Sequence, residues 1–116
     1  LEFSVDSKWL EICSIDDIPV LGSRVIEGGK NGPIALFRDS QNNVYAVLDK
    51  CPHKGGPLSQ GIVHGHTVTC PLHSWNIDLT TACAIAPDEG CVTQYQVRID
   101  HSKVFLDRNE MMAVHE

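Results

Sequence analysis

The chain has 116 residues, 42% of them apolar, and fifteen acidic side chains against nine Lys and Arg give a formal net charge of −6. This length suits one domain with a modest core, so we expect a single unit over residues 1–116, its core about 9–106 and its tail 107–116. The acidic balance argues against nucleic acid or an anionic membrane as the main partner, and no apolar run approaches the ~20 residues that a membrane-spanning helix needs.

The opening segment, LEFSVDSKW, carries neither a basic n-region nor an apolar h-region, so no export signal is expected. A cytoplasmic setting follows, in which thiols serve metals or chemistry more often than disulfides. The five cysteines are Cys13, Cys51, Cys70, Cys83 and Cys91, and an odd count argues against a simple disulfide framework.

In chain order, WLEICSI (9–15) reads as a first strand, and DDIPVLGS turns the chain at Pro19 and Gly22. RVIE, Ile34 to Arg38 and Val44 to Leu48 read as further strands, separated by the turn-rich segments GGKNGP and DSQNN. IVHGHTVT reads as a hairpin with Val63 and Val68 facing the core. QVRID alternates, Val97 and Ile99 on one side and Gln96, Arg98 and Asp100 on the other, before HSK turns into VFL. No segment before the tail has a helical period; RNEMMAVHE suits a short helix or a docking segment. The expected fold is all-β, a small antiparallel sandwich or barrel.

Two segments do not read as packing. CPHKGG places Cys51 and His53 two apart, and TCPLHSW places Cys70 and His73 three apart, each cysteine followed directly by proline. The pattern is C-x-H, sixteen residues, then C-x-x-H. Structural zinc commonly takes a cysteine pair followed by a histidine pair. Here each arm carries one of each, which suits a centre in which two thiolates bind one iron and two imidazoles the other, the Rieske [2Fe–2S] arrangement. Neutral imidazoles in place of thiolates lower the negative charge around that iron and raise its potential. Pro52 and Pro71 would stiffen the arms, and Gly55, Gly56 and Gly61 would let backbone approach closely.

CPHKGGPLSQGIVHGHTVTCPLHSWNIDL resembles the cluster-binding region of the Rieske-type small subunit of the assimilatory NAD(P)H-dependent nitrite reductase, and WLEICSIDDIP and PDEGCVTQYQV extend the likeness over most of Trp9 to Leu106. The resemblance implies an all-β domain with two cluster-binding loops, Cys51 and Cys70 on one iron and His53 and His73 on the other. It also implies a large partner subunit carrying FAD, siroheme and a [4Fe–4S] cluster that reduces nitrite to ammonium. High-potential relatives tie the two loops with a disulfide, and here those places hold Gly56 and Leu72. The serine and tyrosine that donate hydrogen bonds to such clusters are replaced by Trp75 and Ile77. A potential towards the low end of the Rieske range follows. In TTACA, Ala82 takes the place of a turn glycine.

The remaining residues have plainer readings. Cys13 is a small core residue; Cys83 and Cys91, eight apart, could pair in an oxidising medium but in cytosol are expected as two thiols, Cys91 buried. His64 and His66 are solvated turn residues, and His101 and His115 lie on the surface. Lys54 is expected at an exposed loop tip, Trp75 as a packed shield for the second arm, and Asp88 and Glu89 in a solvated turn. No nucleophile–base pair, phosphate loop or nucleotide motif appears, so the enzyme role is that of an oxidoreductase subunit without a substrate site of its own. A free Rieske-type ferredoxin feeding an aromatic-ring dioxygenase shares the ligands and the missing disulfide. A non-redox module, empty or holding zinc, is the reading from a different class.

Overall fold

The computed structural model describes residues 9–27, 29–52, 56–72 and 74–112. Eleven strands form three antiparallel sheets among these residues. The first is ordered β1–β11–β10, from β1 (Trp9–Ser14), β10 (Val97–Asp100) and β11 (Lys103–Asp107). The second, ordered β2–β3–β4–β9, contains β2 (Gly22–Ile26), β3 (Ile34–Arg38), β4 (Val44–Leu48) and β9 (Gln94–Tyr95). The third runs β5–β6–β7–β8, from β5 (Ile62–His64), β6 (Thr67–Thr69), β7 (Asn76–Asp78) and β8 (Cys83–Ala84).

The second sheet is the middle layer, and β3 shows why. Side chains on a strand alternate between faces. Ile34 and Leu36 enter one buried cluster, with Cys13, Ile18, Val104, Leu106 and Met111. Ala35 and Phe37 enter the other, with Leu58, Val63, Val68, Ile77 and Leu79. These four residues of β3 are fully buried. On β4, Val44 and Ala46 join the first cluster and Val47 the second. A strand covered on both faces reads as a continuous apolar run, which is how IALF appears in the sequence.

Polar side chains close the connections. Asp39 sits in the β3–β4 turn, where Oδ1 accepts from the N–H groups of Gln41 (2.9 Å) and Asn43 (2.8 Å), and Oδ2 from Asn43 Nδ2 (3.0 Å) and the Tyr45 hydroxyl (3.0 Å). Burial alone would raise its pKa, but these hydrogen bonds outweigh it and hold the carboxyl below its ordinary value. Arg38 donates to the carbonyls of Ile15 (3.1 Å) and Ile18 (2.9 Å), pinning the β1–β2 connection.

The β10–β11 turn is a two-residue loop in which His101 (φ 52°) and Ser102 (φ 65°) both take the left-handed conformation, the type I′ pattern of tight hairpins. Val97 packs on the core, whereas Ile99 on the same side is 42% exposed. The tail forms a short helix, α1 (Arg108–Met112), started by Asp107 Oδ1 accepting from Asn109 N (2.8 Å), and Met111 is buried in the core. Ala82 does adopt the glycine-like conformation (φ 62°), its N–H bonded to the Asp78 carbonyl (2.6 Å).

Candidate metal centre

Both Cys-Pro arms rise from the ends of strands and close in the same way. The first follows β4, and the Cys51 N–H donates to the Gly56 carbonyl (2.7 Å). The second joins β6 to β7, and the Cys70 N–H donates to the Trp75 carbonyl (2.7 Å). Each cysteine thus opens a loop whose backbone bond spans five residues. In the second arm Ser74 takes a left-handed conformation (φ 59°), with its N–H on the Cys70 carbonyl (3.1 Å).

The two arms meet. A Cβ built on Gly56 would stand 2.5 Å from Leu72 Cδ1 and 3.9 Å from Cys70 Sγ, so any larger residue there would push the Leu72 side chain aside. Gly61 is the more tightly constrained, since a Cβ there would collide with the Thr69 carbonyl oxygen, a backbone atom. Cys51 (3% exposed) and Cys70 (1% exposed) belong to one apolar cluster with Phe37, Leu58 and Leu79, and both retain their thiols. His53, Lys54, Gly55 and His73 lie outside the described residues, as does His115. Among the described residues, therefore, no group of three metal-binding side chains comes together.

The donor chemistry fits an iron–sulfur centre. Two soft thiols are held in a dry pocket on facing loops, and the sequence supplies one histidine within three positions of each. Gly56 and Leu72 touch, so packing joins the arms where high-potential relatives have a disulfide. Ile77 is fully buried and Trp75 is half-buried against the same core, so the places of the serine and tyrosine donors are apolar.

Cys83 and Cys91 correct an expectation. They form a disulfide, and Cys91 is exposed rather than buried. The backbone explains the pairing. Ala84 N bonds to Gly90 O and Val92 N to Ala82 O, both 2.8 Å, which makes Cys83 and Cys91 the non-hydrogen-bonded pair of a short antiparallel bridge. Such pairs bring side chains closest together, and the Cα atoms are 3.9 Å apart. The enclosed loop carries PDEG, and a Cβ built on Gly90 would lie 3.2 Å from Pro52 Cβ, so this loop rests against the first arm.

His64 and His66 are exposed, as expected, though not without contacts: His64 Nε2 lies 2.8 Å from Thr69 Oγ1, and His66 Nδ1 lies 3.3 Å from Asp78 Oδ1. His101 is at the surface, and burial pushes up the Cys13 thiol in the opposite core. One pair at the site went unread in the sequence. Asp49, two residues before Cys51, receives both the backbone N–H and the hydroxyl of Ser59.

Comparison with known proteins agrees with this geometry. The family model described as Rieske [2Fe-2S] domain matches residues 8–96. The ferredoxin component of the naphthalene 1,2-dioxygenase system of Pseudomonas putida is 33% identical over 104 residues, spanning 86% of this chain and 95% of that protein. A 4beta-methylsterol monooxygenase of Methylococcus capsulatus is 48% identical over 50 residues, but the match spans only 43% of this chain and 14% of that protein. A solved structure described as a nitrite reductase NADPH small subunit is 27% identical with a TM-score of 0.73, covering 84% of this chain and 96% of that one. No helix among the described residues is long and apolar enough to cross a membrane. With its sheets, its paired arms and a family match over most of its length, the chain belongs to the Rieske [2Fe-2S] domain family, electron-transfer proteins that carry a Rieske-type [2Fe–2S] cluster.

Proposed function

We propose that this chain is the electron-transfer small subunit of an NAD(P)H-dependent nitrite reductase, acting in the cytoplasm as one domain over residues 1–116. Cys51 and Cys70 bind one iron of its cluster and His53 and His73 the other. When bound, the cluster accepts and gives up one electron at a time. The chain's own part is to hold the ligands still and dry. Pro52 and Pro71 limit loop motion, the paired backbone bonds of Cys51 and Cys70 fix the loop shapes, and the apolar cluster beneath excludes water.

The observation that supports the nitrite reductase reading is the packing of one of its motifs, PDEGC, on the first arm. KGGPLSQG continues the first arm, and PDEGC folds back so that Gly90 rests on Pro52. The PDEGC loop therefore stands beside the first arm, where a partner would approach. That partner is the large subunit bearing FAD, siroheme and a [4Fe–4S] cluster. A second reading, a free ferredoxin serving an aromatic-ring dioxygenase, is favoured by the 33% identity to the naphthalene dioxygenase ferredoxin over 95% of its length.

Nitrite-dependent NAD(P)H oxidation by the siroheme subunit, with and without the cluster-loaded chain, separates the two. Rescue by the wild type but not by Cys70→Ser supports the nitrite reductase assignment. Absence of rescue, with electron delivery to a dioxygenase instead, supports the ferredoxin.

A further inference from the structure

The first arm is closed not only by its own backbone but by a single carboxylate at its base. Asp49 Oδ1 accepts the Ser59 N–H (2.7 Å) and Asp49 Oδ2 accepts the Ser59 hydroxyl (2.8 Å). Each end of this clasp is anchored in turn. The Asp49 N–H bonds to the Pro33 carbonyl (3.0 Å) next to β3, and the Ser59 carbonyl accepts from Ser23 Oγ (2.7 Å) on β2. Ser59 is 9% exposed and its neighbour Leu58 is fully buried. All of residues 50–58, including Cys51 and His53, thus lie between two residues joined side chain to backbone and side chain to side chain.

We propose that Asp49 is a positioning residue for the cluster: it holds the first arm closed and keeps a negative charge at the base of the arm that carries Cys51. This rests on the ligand reading above. Hydrogen bonds to a charged acceptor are stronger than neutral ones, and here two converge on one side chain. Asp49 lies two residues before Cys51, so removing its charge removes a term that opposes adding an electron nearby. An asparagine can keep both contacts by accepting from the Ser59 N–H and donating to its hydroxyl. Geometry and charge can therefore be separated.

The test uses the intact chain, loaded anaerobically with iron and sulfide, as wild type, Asp49→Ala, Asp49→Asn and Ser59→Ala. Three quantities are read: the half-life of the visible cluster absorbance under an iron chelator, the reduced-state electron paramagnetic spectrum, and the midpoint potential. Asp49→Ala should lose its cluster on the order of tenfold faster than wild type and show an altered line shape. Ser59→Ala, which keeps one of the two contacts, should fall between them and serves where the alanine variant at 49 does not fold. Asp49→Asn, which keeps both contacts but not the charge that strengthens them, should have a half-life closer to wild type than to Asp49→Ala while its potential moves upward. A half-life and line shape unchanged in Ser59→Ala, or Asp49→Asn as labile as Asp49→Ala, would overturn the positioning role. The wild-type spectrum alone reports on the ligand reading, so failure of that reading is seen separately from failure of this one.

Discussion

Replacing Asp39 by alanine should destabilise the protein by about 2–3 kcal/mol. The side chain accepts four hydrogen bonds, from two backbone amides, Asn43 Nδ2 and the Tyr45 hydroxyl, and is itself 6% exposed. Hydrogen bonds to a charged group contribute about 1.5–3 kcal/mol each where no water replaces them. Gln41 and Asn43 lie on the exposed turn, so water recovers most of what their amides lose. The Tyr45 contact and the turn geometry set the remainder. For a chain of this size that loss lowers Tm by roughly 10 °C. Asp39→Asn keeps an acceptor for both amides and should cost about 1 kcal/mol. The pH dependence has a fixed sign. The folded carboxyl titrates below its ordinary 3.8, so its contribution is complete above that value and is lost as pH falls through the lower folded pKa. Urea unfolding of the three proteins at neutral pH and at the acid edge measures both effects. An alanine variant within 0.5 kcal/mol of wild type, or an acid limb unchanged in Asp39→Asn, would refute the reasoning.

Three further outcomes are expected. Ser102→Gly should stabilise the β10–β11 hairpin by about 0.5–1 kcal/mol in denaturant titration, because it relieves a left-handed serine (φ 65°) while the Ser102 carbonyl keeps its bond from Ile15 N (2.9 Å). The double variant Cys83→Ser/Cys91→Ser should lose about 2.5 kcal/mol in the same titration, the loop entropy of a link across eight positions, and wild type under reductant should match it. A redox titration should place the midpoint towards the low end of the roughly −150 to +300 mV Rieske range, since Trp75 and Ile77, which bring no hydroxyl, stand at the positions of the hydroxyl donors. A value well above zero would contradict that.

What the sequence made legible follows the range of each interaction. The Cys-Pro arms stood out because each is a contiguous motif. The β5–β6 hairpin was readable because Val63 and Val68, which pair across it, are both core residues only five apart. The β3 strand was recognisable as IALF, but its role as the middle layer was not, since a run buried on both faces has no alternation to read. Asp49 and Ser59 are ten positions apart, with nothing local to mark them as partners. The Cys83–Cys91 disulfide, open in the sequence only for an oxidising medium, was ranked second to free thiols for a similar reason. Composition and compartment argued for thiols, whereas the pairing depends on bridge register, set by the turn at Ala82 and visible only in three dimensions. The tail was ambiguous in sequence because its helix is one turn long and is held by Asp107 and by burial of Met111.

That Cys51 and Cys70 hold one iron and His53 and His73 the other is tested most directly by electron spin-echo spectroscopy of the reduced, cluster-loaded protein carrying ¹⁵N-labelled histidine. Two histidine nitrogens should couple to the spin centre, and His53→Ser and His73→Ser should each remove one of them in whatever fraction still binds iron. A fully loaded wild-type protein with no histidine-nitrogen coupling would contradict the assignment.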